Sequence, residues 1–181
     1  MKMLKMALVA CAILAASPFA GEAQSAGIVG LGAALPVGAN PDAPGVGYQL
    51  NAGFEFDPAG SPVALRLETL WDSFPFRYTP VLPCAIPGCS PRTAHERLLA
   101  AVFDVVLQPS APTTRLVPYL IAGVGMYGYW NSRTYGSTVG GPGVNAGLGM
   151  RVPRLHAFIE ARAHVVDNGP DSIPIAVGLR F

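Results

Sequence analysis

The sequence predicts an all-β protein, an eight-stranded antiparallel up-and-down barrel, and three observations support that fold class. The length of 181 residues and the mass of 18.8 kDa correspond to one domain. The 21 glycines and 18 prolines are spread along the chain, which excludes a helical bundle and indicates many turns. Apolar and polar residues alternate with a period of two, as they do in strands whose two faces meet different surroundings.

Composition excludes two broad classes of protein. Charged residues make up 13% of the chain, the formal net charge is +1, and the sequence contains no basic run, so no nucleic-acid partner is expected. Hydrophobic residues reach 51%, which is too apolar for a disordered chain. The composition therefore favours a folded, β-rich domain.

Residues 1–23 are predicted to be a cleaved secretory signal peptide, which leaves 24–181 as one barrel domain. Two lysines open the segment, and Met6–Ala16 is apolar but far shorter than the roughly 20 residues of a spanning helix. Gly21–Ala23 then places small residues at a cleavage site. Both lysines of the sequence lie in this segment, so the remaining chain carries its positive charge on arginine alone.

Two cysteines remain in the predicted exported chain, Cys84 and Cys89, and we expect them to form a disulfide. Pro87 and Gly88 favour a turn between them, which brings the two thiols within bridging distance. An exported protein also meets an oxidising compartment, in which disulfides persist. The alternative is a metal site with His95 as the nearest further ligand. Because such a site needs more ligands, no metal and no cofactor are expected.

Eight segments are predicted to be strands, and most are long enough to cross a bilayer as a tilted strand of about 9–11 residues. The first segment is apolar or glycine on both faces, so its inward and outward faces are not assigned from the sequence. The eight predicted strands are Gly27–Val37, Tyr48–Phe56, Val63–Asp72, Leu99–Gln108, Leu116–Trp130, Val144–Val152, Leu155–Val165 and Ser172–Phe181.

The predicted connections alternate in length, which is typical of the two ends of an outer-membrane barrel. Short turns join strands two and three, four and five, and six and seven, whereas three of the other four connections are long. Both chain termini then lie at the short-turn end, which we expect to face the periplasm. The short set is Asp57–Pro62, Pro109–Thr114 and Pro153–Arg154, and the other set is Gly38–Gly47, Phe74–Thr93, Asn131–Pro142 and Asp167–Asp171.

A soluble barrel and a membrane barrel predict opposite placements of the charged face. In a soluble barrel the charges face water, whereas in a membrane barrel the apolar faces meet lipid and the charges fill the interior. The apolar faces of seven strands carry no charge, and the opposite faces carry arginine without lysine, which favours enclosed ion pairs. We therefore expect a transmembrane barrel with an interior network of Glu55, Arg66, Glu68, Asp72, Glu96, Asp104, Arg151, His156, Glu160, Arg162, His164 and Arg180.

Aromatic residues near the strand ends favour the same placement. Trp71, Tyr129 and Trp130 lie at the long-connection end, and Phe56 and Phe181 lie at the short-turn end. Belts of aromatic residues occupy these two levels in membrane proteins. The aromatic positions thus indicate an apolar band bounded by two interfaces.

The chain resembles the small eight-stranded outer-membrane barrels of the OmpA, OmpX and opacity-protein type over the whole predicted mature domain. The likeness rests on Pro118–Gly125, Gly147–Arg151, Phe158–Arg162 and Val177–Phe181. The resemblance implies an integral protein of the bacterial outer membrane, surrounded by outer-membrane lipid and lipopolysaccharide. In this family a terminal phenylalanine is part of the signal read by the barrel-assembly machinery, so the resemblance gives that role to Phe181.

The expected function is structural or in surface interaction, without catalytic residues. An eight-stranded barrel has an interior just wide enough for its own side chains, which predicts a packed, non-conducting lumen. Within it, Glu68 is expected to pair with Arg66 or Arg162, and Glu160 with Arg180.

Two alternatives to this function are kept. A lipid-modifying outer-membrane enzyme needs a nucleophilic serine near an oriented histidine, but no serine lies within two residues of His95, His156 or His164 in a strand. A soluble, lipocalin-like periplasmic binder would turn its aliphatic faces inward around a ligand. The absence of lysine and the terminal phenylalanine argue against this binder.

The connection Phe74–Thr93 is the expected surface for a partner. It is the longest predicted connection, holds both cysteines and carries several aromatic and aliphatic residues, and exposed apolar groups indicate an interaction site. The alternative is that these residues rest on the barrel mouth or on lipid headgroups.

Overall fold

The computed structural model describes residues 23–37, 45–58, 61–78, 92–109, 115–131, 139–167 and 171–181. Each predicted strand overlaps one observed strand. The strands are β1 (Ala23–Val37), β2 (Gly47–Pro58), β3 (Val63–Tyr78), β4 (Arg92–Leu107), β5 (Val117–Asn131), β6 (Val139–Val152), β7 (Ala157–Val166) and β8 (Asp171–Arg180). One turn of 3-10 helix, Pro153–Leu155, joins β6 to β7. No helix in the described ranges is long and apolar enough to cross a membrane.

The eight strands form one closed antiparallel barrel in sequence order. Each strand pairs with the next one along the chain, and β8 closes the barrel by pairing with β1, from Ile28 opposite Arg180 to Val37 opposite Asp171. Closure gives each strand two hydrogen-bonded neighbours, which removes the exposed edges of an open sheet. The predicted fold class is confirmed.

The two faces of the barrel wall differ in polarity. Large aliphatic side chains point outward on every strand, and Leu31, Leu120, Met126 and Leu148 are each between 59% and 63% exposed. Most of the charged side chains on the strands point inward and are buried. This arrangement is the reverse of a water-soluble protein, and it contradicts the alternative of a soluble barrel that hides its aliphatic faces around a ligand.

The structure assigns the two faces of β1, which the sequence left open. Ile28 and Ala34 point inward and are buried, whereas Val29 and Leu31 point outward and are exposed. Residues directly opposite each other on paired strands share a face. Because Ile28 lies opposite Arg180, the neighbouring strand and not the composition of β1 decides which face is inward.

Strands β3 and β4 are longer than the sequence predicts. Their pairing continues to Tyr78 opposite Arg92, so the predicted connection Phe74–Thr93 begins and ends as strand. Phe74, which we expected in an exposed surface, is instead buried. The sequence signal fades here because smaller and polar residues replace the outward aliphatic ones, although the backbone pairing continues.

His156 is a predicted interior residue that the structure places outside the lumen. The alternation predicts the seventh strand from Leu155, but β7 begins at Ala157. His156 ends the 3-10 turn in the left-handed region with φ 51°, donates its N–H to the Pro153 carbonyl oxygen at 3.1 Å, and exposes its side chain. The prediction was wrong because the alternation of polar and apolar residues begins at Leu155, inside the turn that starts at Pro153, and not at the first residue of β7.

Two sequence predictions fall outside the described residues. Of the predicted signal peptide 1–23, only Ala23 is described, and it opens β1 opposite Pro58. Cys84 and Cys89 lie in the stretch between β3 and β4 that is not described. The cleavage site and the disulfide therefore stay predictions.

Val124→Arg is expected to lower the free energy of unfolding from lipid vesicles by about 2–4 kcal/mol. Val124 lies in the middle of β5, points outward and is 58% exposed, so an arginine there would meet hydrocarbon. Guanidinium chloride unfolding followed by tryptophan fluorescence measures the change. Leu155→Arg, in the exposed 3-10 turn at the barrel end, is the matched control and should stay near wild type. Equal stability of both variants would argue against a lipid-facing outer surface.

Candidate functional site

The candidate site is the barrel interior, where most of the predicted charged residues meet. Alternation turns their side chains inward on each strand, and closure brings the inward faces together around one axis. Arg180 and Glu96 are half-buried at inward positions of β8 and β4. The buried members of the predicted network are Glu55, Arg66, Glu68, Asp72, Asp104, Arg151, Glu160, Arg162 and His164.

Two arginines and two glutamates at the centre join opposite walls of the barrel. Arg66 and Glu68 lie on β3, and Glu160 and Arg162 lie on β7, four strands away around the wall. Arg66 Nη1 donates to Glu160 Oε2 at 2.8 Å and to Glu68 Oε1 at 3.4 Å, and Arg162 donates to both glutamates. None of the four side chains is more than 4% exposed. We call Arg66, Glu68, Glu160 and Arg162 the central quartet.

A second link joins opposite walls closer to the short-connection end. Glu55 on β2 accepts hydrogen bonds from Arg151 Nη2 on β6 at 2.7 Å and from Arg66 Nε at 3.0 Å. Arg180 on β8 donates to the other Glu55 oxygen at 3.1 Å and to Asp57 at 3.4 Å. Because β2 and β6 are also four strands apart, the lumen is crossed at two levels.

Asp104 on β4 extends the network beyond the central quartet. One carboxylate oxygen accepts from Arg162 Nη1 at 3.0 Å, and the other accepts from Asn145 Nδ2 at 2.8 Å. Within the described ranges, nine ion pairs connect four arginines with five carboxylates. Forked, charge-assisted contacts of this kind offset the cost of taking each charge out of water.

Tyr119 is a central residue of the interior to which the sequence gave no role. Its hydroxyl donates to Glu160 Oε2 at 2.7 Å, and its ring lies 4.9 Å from the Arg151 guanidinium and 5.6 Å from that of Arg66. The ring also depends on Gly149, where a Cβ would overlap it. Tyr119 thus supplies both a hydrogen bond and a cation–π surface to the network.

Two neutral side chains complete the hydrogen bonding around the ion pairs. Asn51 Nδ2 donates to Glu68 Oε1 at 3.3 Å. Gln108 donates to Asp57 at 3.0 Å and accepts from Arg151. Neither residue is charged, so the charge pattern of the sequence did not identify them as members of the network.

The structure decides the predicted pairings. Glu68 pairs with both Arg66 and Arg162, which were its two expected partners. The expected pair of Glu160 with Arg180 is wrong, because Glu160 pairs with Arg66 and Arg162. The reason is register: Glu160 lies opposite Ala176 on β8, which leaves Arg180 nearer the short-connection end.

Towards the long-connection end, the interior becomes a polar region with incomplete hydrogen bonding. Asp72 differs from the ion-paired carboxylates because no arginine of the described ranges pairs with it. His164 Nδ1 shares a 3.0 Å hydrogen bond with the Tyr127 hydroxyl. Across the described interior, including Asn51 and Asn145 beside the ion pairs, six buried side chains each keep a polar atom without a partner in the described structure: Gln49, Asn51, Asp72, Asn145, His164 and Ser172.

The described part of the interior does not assemble a recognisable catalytic or metal-binding set. No group of three histidine, cysteine or acidic residues is arranged there to hold a metal ion. Ser172 lies opposite His164 across β7 and β8, a proximity that sequence spacing did not reveal. However, Ser172 Oγ and His164 Nε2 each lack a hydrogen-bond partner, so they are not joined as nucleophile and base. The observed ion pairs link opposite strands of the wall, and the side chains that form them occupy the lumen.

A closed eight-stranded antiparallel barrel with an aliphatic outer face and a charged interior is the fold of the small outer-membrane β-barrel proteins. The crystal structure of Neisserial surface protein A matches with a TM-score of 0.61 at 12% identity, covering 87% of this chain and 97% of that one. The N-terminal β-barrel domain of OprF from Pseudomonas aeruginosa matches with a TM-score of 0.50 at 14% identity, covering 88% and 100%. At these identities the likeness establishes the fold.

No protein-family model and no curated sequence matches this chain. The predicted resemblance to small eight-stranded outer-membrane barrels is confirmed for the fold by these two solved structures. Because the two solved structures share only 12% and 14% identity with this chain, the roles of individual residues are inferred from their contacts in this structure.

Arg162→Met is expected to lower the free energy of unfolding by about 3–5 kcal/mol, because it leaves buried carboxylates of Glu68, Asp104 and Glu160 without that cation. Arg180→Met is the matched control and should cost less, since the Arg180 side chain is 27% exposed. Chemical unfolding of both variants in the same detergent or vesicle gives the comparison. An unchanged midpoint for the Arg162 variant would count against the central quartet.

Asp72→Asn is expected to leave the free energy of unfolding unchanged or raised. The substitution removes a buried charge that has no arginine partner in the described structure, while the shape stays the same. Asp104→Asn, an identical chemical change, should instead destabilise by about 1–3 kcal/mol, because Asp104 holds Arg162 and Asn145. Equal losses for the two variants would show that Asp72 is held by a cation after all.

Proposed function

We propose that this protein is an integral β-barrel of the bacterial outer membrane with a non-conducting interior and a structural or surface-interaction role. The observation that supports it most is the inverted polarity of the wall, with aliphatic side chains outside and ion pairs inside. An apolar surface of this extent is stable against hydrocarbon. A closed barrel also satisfies the backbone hydrogen bonds that a bilayer cannot.

The non-conducting interior follows from the two levels at which side chains cross the lumen. The central quartet joins β3 to β7, and the Glu55–Arg151 pair joins β2 to β6. Opening a path along the axis would separate buried charges at both levels, at a cost of several kcal/mol for each pair. We therefore assign the interior to mechanical stability and not to transport.

The short-connection end, which carries both ends of the described chain, is proposed to face the periplasm. Ala23 pairs with Pro58 beside the connection to β3, and the Phe181 N–H donates to the Gly27 carbonyl oxygen at 2.9 Å. Short turns are periplasmic in bacterial outer-membrane barrels. The connection between β3 and β4 then faces the outside and is the proposed surface for a partner.

Phe181 is proposed to carry the signal for the barrel-assembly machinery. Its backbone lies at the seam where β8 closes onto β1, with the Gly27 N–H donating to the Phe181 carbonyl oxygen at 2.6 Å. Its side chain is 76% exposed. An exposed aromatic group at the closing strand is accessible to another protein before the seam forms.

Cell fractionation tests the proposal. The protein should appear in the outer-membrane fraction, and on a denaturing gel the unheated band should migrate differently from the boiled band, because the folded barrel resists detergent. Leu155→Arg should behave like the wild type, since Leu155 lies in the turn outside the strands. A soluble periplasmic marker from the same cells controls for leakage.

Recovery of the protein in the osmotic-shock fluid, with no heat-dependent shift, would refute the membrane location. A shifted band together with steady ion conductance in planar bilayers would refute the non-conducting interior.

A further inference from the structure

The described outer face of the barrel is mostly uncharged, and Arg97 on β4 is an exception. The sequence predicted a strand that starts at Leu99, whereas β4 begins at Arg92. The outward face of β4 therefore also includes His95 and Arg97, and both side chains are exposed. Among outward-facing strand positions whose side chains are described, Arg97 is the one that carries a full positive charge. A permanent cation on a lipid-facing surface needs a specific reason.

Arg97 lies within an aromatic cluster formed by four neighbouring strands, β2 to β5. It sits opposite Trp130 of β5, and its guanidinium lies 6.0 Å from the centre of the Trp71 ring on β3. Trp71 and Trp130 meet edge to face with ring centres 5.5 Å apart. Tyr48 of β2, 51% exposed, lies in the same row through Ser73. We call Tyr48, Trp71, Arg97 and Trp130 the girdle patch.

The girdle patch lies at the edge of the apolar band nearer the long-connection end, which we call the top of the barrel. Below Arg97, the outward residues of β4 from Leu99 to Leu107 are all apolar. That stretch rises about 26 Å along the strand at roughly 3.3 Å per residue, and a tilt of about 40° reduces it to about 20 Å of height. Arg97 itself lies about 25 Å above Leu107 on the same estimate, which is the height of the apolar band of an outer-membrane barrel, so it is placed where lipid headgroups begin and tryptophans concentrate.

Arg97 differs from the interior arginines in its partners. Each of the four interior arginines is ion-paired with a carboxylate, whereas none of the ion pairs of the described residues includes Arg97. A planar guanidinium with no carboxylate partner among the described residues matches a phosphate group, which it can contact with two parallel hydrogen bonds. The tryptophan rings beside it offer an apolar surface to the sugar and acyl parts of the same lipid.

We propose that the girdle patch binds one phosphorylated lipid of the surrounding leaflet, with Arg97 holding the phosphate and the two tryptophans packing against its sugar and upper acyl chains. The inference rests on the proposed function, because the long-connection end must face the outer leaflet. The lipid of that leaflet is lipopolysaccharide, whose phosphorylated glucosamine backbone offers both the anion and the apolar surface. The patch would fix the rotation of the barrel relative to its lipid shell.

Intrinsic fluorescence tests the proposal directly, because the sequence contains two tryptophans and both belong to the patch. Refolded protein in a zwitterionic detergent is titrated with bisphosphorylated lipid A. The tryptophan emission should shift and saturate with the wild-type protein. Arg97→Gln should weaken the apparent affinity about 10–100-fold, the range expected for losing a charge-assisted hydrogen bond.

Arg154→Gln is the matched control, since Arg154 is an exposed arginine in the 3-10 turn at the opposite end, and it should titrate like the wild type. Lipid A without phosphates should bind the wild type as weakly as bisphosphorylated lipid A binds Arg97→Gln. Phosphatidylglycerol micelles and inorganic phosphate separate the sources of the anion, and both should bind at least tenfold more weakly than bisphosphorylated lipid A.

Equal affinity of wild type and Arg97→Gln would overturn the proposal, and so would equal binding of lipid A with and without phosphates. Tight binding of phosphatidylglycerol would overturn the assignment to lipopolysaccharide. Arg97→Gln should still give a heat-dependent gel shift in the outer-membrane fraction. If Arg97→Gln loses affinity for lipid A but keeps the heat-dependent gel shift, the result concerns this site alone. If the proposed membrane location is wrong, the wild-type protein itself will show no gel shift.

Discussion

Charged side chains enclosed in a narrow barrel must pair with groups of opposite charge, and the rest of the structure depends on this constraint. Burial of an unpaired ion costs several kcal/mol, so each inward arginine has to reach a carboxylate across the lumen or along its own strand. Arg66 and Arg162 do both, because their partners lie on the opposite wall and two residues away on the same strand. The same contacts set the distance between opposite walls and so support the closure of β8 onto β1.

The interior is divided into two regions that differ in how completely they are paired. Around the central quartet and Glu55, guanidinium groups, carboxylates and the Tyr119 ring fit closely enough that Gly149 has no space for a side chain. Nearer the long connections, Asp72, His164 and Ser172 are buried with polar atoms that lack partners in the described structure. Among the described residues, the ion pairs are therefore concentrated around the centre and the end that holds the termini, and polar atoms without a partner are more frequent towards the long connections.

The outer surface follows a different constraint, which is the depth of the surrounding lipid. Aliphatic residues form the band at mid-height on every strand, and aromatic residues mark its edge. Arg97 is an exposed cation at this edge, where polar headgroups begin in an outer-membrane barrel. The four interior arginines are paired with carboxylates, whereas Arg97 is proposed to meet an anion from the surroundings.

The sequence by itself determined the fold class, the number of strands and, for seven of them, which face is apolar and uncharged, because alternation with a period of two is a local property of each strand. It identified inward residues such as Glu68 and Arg162 for the same reason. Tertiary structure decided the faces of β1, the partner of Glu160, the exclusion of His156 from the lumen and the place of Arg97 beside two tryptophans. These depend on strand register, strand ends and the turn between β6 and β7, all of which arise when distant strands pair and the barrel closes.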